Sequence, residues 1–335
     1  MRACLVVSIL IVCACLTEGC TRMRFVVDTV AAEDKLTETV VMGDTGTTRN
    51  KVALIDVSGL IADGPRPGLF GTGENPVSRF AESLRRAEED MAVKAVIIRI
   101  NSPGGTVGAS DVMYREVMYF KQTTKKPVVV QMAEVAASGG YYLACSGDEI
   151  VAMPTTVTGS IGVIIQTFNF STGMNKIGIS ADAITSGPNK AMGSPFEPMS
   201  KEHRELLQGL VDEFYGNFKS LVVASRPTLS PNDLSWITDG RVVTGQRAVE
   251  VGLVDQLGGL REAFATAKNR AGIPTAKLVK YHRPVEYVGS AYAQAPMPGA
   301  ASGSGTQVNL LQMNLTQSPL GDTPNFWYVW DPAVW

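Results

Sequence analysis

Three short segments of this chain carry residue types and neighbours suited to hydrolytic chemistry. The first is Val135-Ala136-Ala137-Ser138-Gly139-Gly140-Tyr141-Tyr142. A nucleophilic serine must project its hydroxyl from a tight strand-to-helix turn, among neighbours small enough to let a substrate backbone approach. Gly139 then leaves an N–H free to face an oxyanion. The same residues equally describe a serine that merely caps a helix. The second segment, Asn101-Ser102-Pro103-Gly104-Gly105, reads as a strand end followed by two glycines, whose permissive backbone can turn N–H groups toward an anion. The third is Ser186-Gly187-Pro188-Asn189-Lys190. A lysine ordinarily titrates near 10.4 and is charged at neutral pH; bringing that down by about 3 costs roughly 4 kcal/mol. Burial in an apolar pocket can supply that cost and make the amine a general base. Ala191, Met192 and Pro195 are the apolar neighbours from which such a pocket is expected.

Histidine is scarce. The chain has two, His203 and His282, and neither is embedded in a glycine- or serine-rich motif, so both read as surface residues and a Ser-His-Asp arrangement is disfavoured. With 335 residues, 45% of them hydrophobic, the chain can bury one substantial core. A formal charge of −2 offers no global basic field, which argues against nucleic acid as a partner. Of five cysteines, Cys4, Cys13, Cys15 and Cys20 precede residue 21, leaving Cys145 alone in the rest. That pattern closes no internal disulfide, matches no zinc-ligand spacing, and casts Cys145 as a small buried apolar residue.

The candidate segments need a frame, and the hydrophobic pattern supplies one. Lys51–Val57, Lys94–Ile100, Pro127–Met132, Glu149–Ala152 and Ile161–Ile164 have strand character. Between them, Val77–Met91 spaces Phe80, Leu84 and Ala87 as a helix does, a second helix is expected from Ser110 to Thr123, and a short one begins near Ser138. Ser200 is placed to cap a longer helix reaching Val223, and a last pair covers Gln246–Val251 and Leu260–Ala271. Strands alternating with helices predict an α/β fold with parallel pairing. The spacing divides the chain into a targeting segment (1–20), a linker (21–50), a catalytic domain (51–272) and a C-terminal extension (273–335).

Both ends lie outside that frame. Arg2 followed by the apolar run Ala3–Leu16 is shorter than the roughly 18–20 residues that span a bilayer, and suits the core of an export signal. Gly19-Cys20 makes Cys20 a lipidation candidate, so the domain is expected to be exported and anchored to a membrane. Residues 289–307 are rich in Ala, Gly, Ser and Pro and read as a flexible linker. The aromatic end, Phe326-Trp327-Tyr328-Val329-Trp330, is expected to dock on an apolar groove of the same assembly, and Ala291-Tyr292-Ala293 resembles a small-x-small cleavage site.

In combination the segments resemble the signal peptide peptidase A family of serine peptidases, within the ClpP/crotonase-like superfamily. The resemblance runs from Lys51 to Gly272. It also takes in Thr158-Gly159-Ser160-Ile161-Gly162-Val163 and the stretch from Asp239 to Ala248. It implies a ClpP/crotonase-like fold of repeated β-β-α units, with Ser138 as nucleophile, Lys190 as base and Ser160 as the hydroxyl that orients the base. Gly139, with Gly104 or Gly105, matches the oxyanion donors. No metal or cofactor is implied. The family forms dome-shaped homo-oligomers in the bacterial cell envelope, in which Lys190 can serve a neighbour's Ser138, and its substrates are released signal peptides and other membrane-derived peptides. Two other readings share the fold: a crotonase-type acyl-CoA enzyme, and an inactive oligomeric membrane scaffold.

Overall fold

A computed structural model of the chain describes residues 35–64, 67–68, 71–72, 74–284, 286, 288–293 and 326–330. The chain forms β1 (Thr37–Gly43), β2 (Lys51–Ser58), a minimal hairpin of β3 (Pro67–Gly68) and β4 (Gly71–Thr72), and α1 (Pro76–Glu89). Next come β5 (Val93–Ser102), β6 (Gly104–Thr106), α2 (Val107–Thr124), β7 (Val128–Ala137) and α3 (Gly139–Ala144). Then follow β8 (Glu149–Ala152), β9 (Val157–Gly159), α4 (Ser171–Lys176), α5 (Lys201–Ser225), α6 (Pro231–Ile237) and β10 (Val242–Thr244). The remaining elements are α7 (Gly245–Glu250), β11 (Gln256–Leu257), α8 (Leu260–Arg270), β12 (Lys277–His282) and β13 (Trp327–Val329).

The expected α/β class is the one the chain adopts. The main sheet runs β1-β12-β2-β5-β7-β8-β11, and every pairing along it is parallel except β1 with β12. Alternate residues of the central strands serve opposite faces, as a period of two requires. Ala53, Ile55, Val96, Ile98, Val128 and Val130 join one core with Phe80 and Leu84 of α1 and Met113, Val117 and Phe120 of α2. Val52, Leu54, Ala95, Ile97 and Val129 join the other, under Leu260, Ala263, Phe264 and Ala267 of α8. Helices thus cover both faces, which is why β5 reads as an almost unbroken apolar run. Ile97 and Ile98 are both 0% exposed, one in each core, and each is worth about 2 kcal/mol on transfer from water.

The described structure departs from the sequence expectations at several points. Thr37–Gly43, inside the stretch expected as a linker, is an edge strand paired with β12. β12 itself lies past the expected domain end at 272 and adds to the sheet beside β2, burying Leu278, Val279, Lys280 and Tyr281. Its sequence partner is more than two hundred residues away, so no local pattern announces it. Ile161–Ile164 is not a strand. Gly159 (φ 88°) and Ser160 (φ 50°) turn the chain out of the sheet just before it, and Ile164 makes only an isolated bridge. The export segment and Cys20 fall outside the described residues, and among those described no helix is long and apolar enough to cross a membrane.

Candidate active site

Ser138 sits where β7 ends and α3 begins, at the position that starts the helix. Its side chain makes no capping bond to the helix, and its backbone is held at φ 53°, ψ −115°, a conformation L-residues rarely take. The serine occupies the N-cap position, but its hydroxyl does not cap the helix. Three bonds and pairings hold it there. Ala137 pairs with Gly159 of β9, the Ser138 N–H donates to the Gly159 carbonyl (2.8 Å), and the Ser138 carbonyl accepts from the Tyr142 N–H (2.8 Å). The side chain is 1% exposed.

Small residues around it are required by close approach. A Cβ on Gly139 would overlap Ser110 Oγ and stand 3.0 Å from the Tyr328 carbonyl oxygen and 3.1 Å from the Gly105 nitrogen. A Cβ on Gly140 would stand 2.9 Å from the Ser102 carbonyl oxygen. Gly104, at φ 105°, turns β5 into β6; a Cβ there would meet the Gly139 nitrogen at 2.7 Å and overlap the Tyr328 carbonyl oxygen. The two glycines of this turn differ in what their amides do. The Gly104 N–H donates to Ser102 Oγ (3.0 Å), and its carbonyl accepts from the Ile61 N–H (2.8 Å). The Gly105 N–H faces the groove, toward residue 328. Ser138, Gly139, Gly104 and Gly105 thus converge on one spot.

Ser160 joins them through β9. Its N–H donates to the Arg241 carbonyl (2.6 Å), and β10 runs antiparallel to β9 with Val242 opposite Gly159. The stretch from Asp239 to Ala248 is structural: it clamps the Thr-Gly-Ser turn against β7. Arg241 is pinned by Asp239 and lies over the Trp236 ring at 4.2 Å. Arg241 Nε and Nη2 donations hold the Asp239 carboxyl at about 2, below its ordinary value. Behind the serine, Tyr142 donates to Asp111 Oδ1 (2.9 Å), and burial, reinforced by that carboxylate, raises its phenol well above the usual range.

Residues 120–274 match the family model for peptidase family S49. The chain is 34% identical over 236 residues to a candidate signal peptide peptidase SppA of Enterococcus faecium, covering 70% of this chain and 68% of that one. It is 37% identical over 231 residues to a candidate protease, slr0021, of Synechocystis, covering 69% and 78%. Against the chloroplast serine protease SPPA of Arabidopsis thaliana it is 35% identical over 264 residues, 78% of this chain and 37% of that one. The chain belongs to the signal peptide peptidase A family, S49. It is a peptidase.

One expectation for this S49 peptidase does not hold in the single chain. Lys190 was expected to lie in an apolar pocket; it is exposed, on a turn in which its N–H donates to the Gly187 carbonyl (3.1 Å). Ala191, Met192 and Pro195 are only half-buried, because the segment from 179 to 196 packs against little of its own chain. The structure brings together Ser138, Ser160 and the three glycines, and leaves Lys190 facing solvent. His203, read from the sequence as a surface residue, makes one exposed contact beside this turn. Its Nε2 bonds the Pro188 carbonyl (3.0 Å), tying the turn that bears Lys190 to the first turn of α5. Cys145 meets its expectation: it is 5% exposed, and burial raises its thiol. Among the described residues no cluster of His, Cys, Asp or Glu could hold a metal.

Proposed function

We propose that this family member is a serine endopeptidase in which Ser138 is the nucleophile, Lys190 the general base and Ser160 the hydroxyl that orients the base. The observation that carries the reading is the Ser138 backbone, at φ 53° and ψ −115° with its hydroxyl uncommitted to the helix it starts. Strain of this kind costs of order 1–3 kcal/mol and persists where the surroundings enforce it, typically at reacting groups. In this reading the Ser138 hydroxyl attacks a peptide carbonyl and gives its proton to the lysine amine. The oxyanion rests against the N–H groups of Gly139 and Gly105, while Gly104 shapes the turn with its own N–H engaged by Ser102. The amine leaving group takes the proton back, and water hydrolyses the acyl-enzyme.

Exposure of Lys190 supports delivery of its amine to the Ser138 of a neighbouring copy, where the contact between copies supplies the missing burial. A homo-oligomer follows from that. The N-terminal segment, with Cys20 as its lipidation candidate, would hold the domain at the membrane of a bacterial cell envelope, and released signal peptides are the substrate class. The test uses a fluorophosphonate probe and casein digestion. Ser138→Ala and Lys190→Ala each lose labelling or turnover, and mixing the two inactive variants restores part of the activity, since one supplies the serine and the other the lysine. Near-normal digestion by Lys190→Ala would refute the base; labelling that persists in Ser138→Ala would refute the nucleophile.

A further inference from the structure

The groove beside Ser138 is filled by the chain's own C-terminal segment. Trp327–Val329 runs antiparallel to β6, with Trp327 opposite Thr106, Tyr328 opposite Gly105 and Val329 opposite Gly104. On its other edge Trp327 exchanges both backbone bonds with Ile164, at 2.9 and 3.1 Å. The segment is therefore laddered to β6 along one edge and pinned to Ile164 by a single bridge on the other. The Val107 N–H donates to the Phe326 carbonyl (3.0 Å) and the Trp330 N–H to the Pro103 carbonyl (2.7 Å). Bonded and non-bonded pairs alternate in an antiparallel ladder, so the Tyr328–Gly105 pair between them is a bonded one. The Tyr328 carbonyl thus takes the Gly105 N–H and lies against Gly139, the residue next to Ser138.

The side chain of Tyr328 is as specifically held as its backbone. It is 1% exposed, stacked on Tyr142 (centroids 5.2 Å apart, 22° between planes) and tilted against Phe218 (4.7 Å). Its hydroxyl donates to the Phe214 carbonyl (2.9 Å), so the pocket takes the ring and the polar tip together.

We propose that residues 326–330 are a built-in substrate mimic: they bind as an extended substrate peptide binds, with Tyr328 in the position of the residue whose carbonyl is attacked. The inference rests on the reading of Ser138 as nucleophile and deepens it in two ways. It gives the substrate class as extended peptides that present a Tyr-sized aromatic residue at the cleaved bond, recognised by strand addition to β6 and Ile164. It also makes the tail a competitor, so that the groove is open to other peptides only for the fraction of time the tail is out of it.

The experiment compares the full chain with a chain ending at Asn325. Fluorophosphonate labelling and hydrolysis of a fluorogenic peptide are measured on both, with and without a synthetic peptide of residues 326–335. The shortened chain is expected to label and hydrolyse about tenfold faster or more. The added peptide should reverse the gain by raising KM at unchanged kcat, and a peptide carrying Tyr328→Asp should not. Equal rates in the two chains would overturn the proposal, as would a slower shortened chain whose melting curve is intact. If the shortened chain does not fold, full-length Tyr328→Asp takes its place with the same expected gain. Binding of the dye-labelled peptide to the shortened Ser138→Ala chain, read by anisotropy, needs no turnover. Absence of binding there sinks the mimic whatever the nucleophile is, whereas binding combined with undiminished hydrolysis by Ser138→Ala sinks only the nucleophile.

Discussion

Replacing Ser138 by glycine and by alanine separates the chemistry of this position from its backbone. Both variants lack the hydroxyl, so any difference between them reports conformation. At φ 53°, ψ −115° a residue with a Cβ carries about 1–3 kcal/mol of strain, which glycine does not. Against that, glycine surrenders roughly 0.5–1 kcal/mol more backbone entropy on folding. The balance favours Ser138→Gly over Ser138→Ala by about 1 kcal/mol. For a cooperative unit of this size that is about 2–4 °C in Tm. Differential scanning calorimetry or thermal circular dichroism resolves such a gap. Ala136, fully buried two residues earlier in β7, supplies the control: Ala136→Gly should lower Tm, the opposite sign. If Ser138→Ala melts at or above Ser138→Gly, the turn stores no strain and the argument built on it is wrong.

Three other substitutions probe the packing around the site and the buried ion pairs. Gly139→Ala places a Cβ against Ser110 Oγ and the Gly105 nitrogen, and peptidase kcat should fall by about a hundredfold while the chain still folds; unchanged kcat would mean that Gly139 does not face the reacting carbonyl. Asp56, set between Lys280 and Arg99 (3.6 Å), balances a buried cation, so Asp56→Ala should cost about 3 kcal/mol in urea unfolding; a cost under about 1 kcal/mol would show that the pair is dispensable. Burial alone would raise the Glu286 carboxyl, but Arg79 (2.5 and 2.6 Å) and the Arg283 N–H outweigh it and hold it below its ordinary 4.5. A lowered carboxylate stabilises fully above its unfolded value and loses that contribution as pH falls through the folded one. The Tm gap between wild type and Glu286→Gln should therefore be widest at neutral pH and close in acid; a gap that widens in acid would reverse the assignment.

Much of the site was legible because its requirements are local. Tight turns and close backbone approach demand glycine, so Gly104, Gly105, Gly139 and Gly140 mark the spot in the sequence itself. The central strands were legible because burial on both faces leaves an unbroken apolar run. What was not legible depends on distant partners. β1 is the edge strand and β12 lies between it and β2, so each exists through partners far away in sequence, and neither carries a run long enough to announce it. The Ile161–Ile164 strand was expected from its apolar residues, but the positive φ values at Gly159 and Ser160 are backbone facts that hydropathy does not encode. The burial expected around Lys190 is absent from the single chain, because apolar neighbours in sequence do not bury a side chain unless something packs over them. The aromatic end was expected to find an apolar groove. Composition indicated a docking segment, but only the register with Gly105 shows which groove it fills.

The bond from His203 to the Pro188 carbonyl joins the start of α5 to the turn bearing Lys190. α5 is 25 residues long and presents Leu206 and Leu210 to solvent within two turns of that joint. A neighbour that seats against those leucines would swing the amine along with the helix, so quaternary assembly and the supply of a proton acceptor would be one event. Isolated subunits would then be idle by construction.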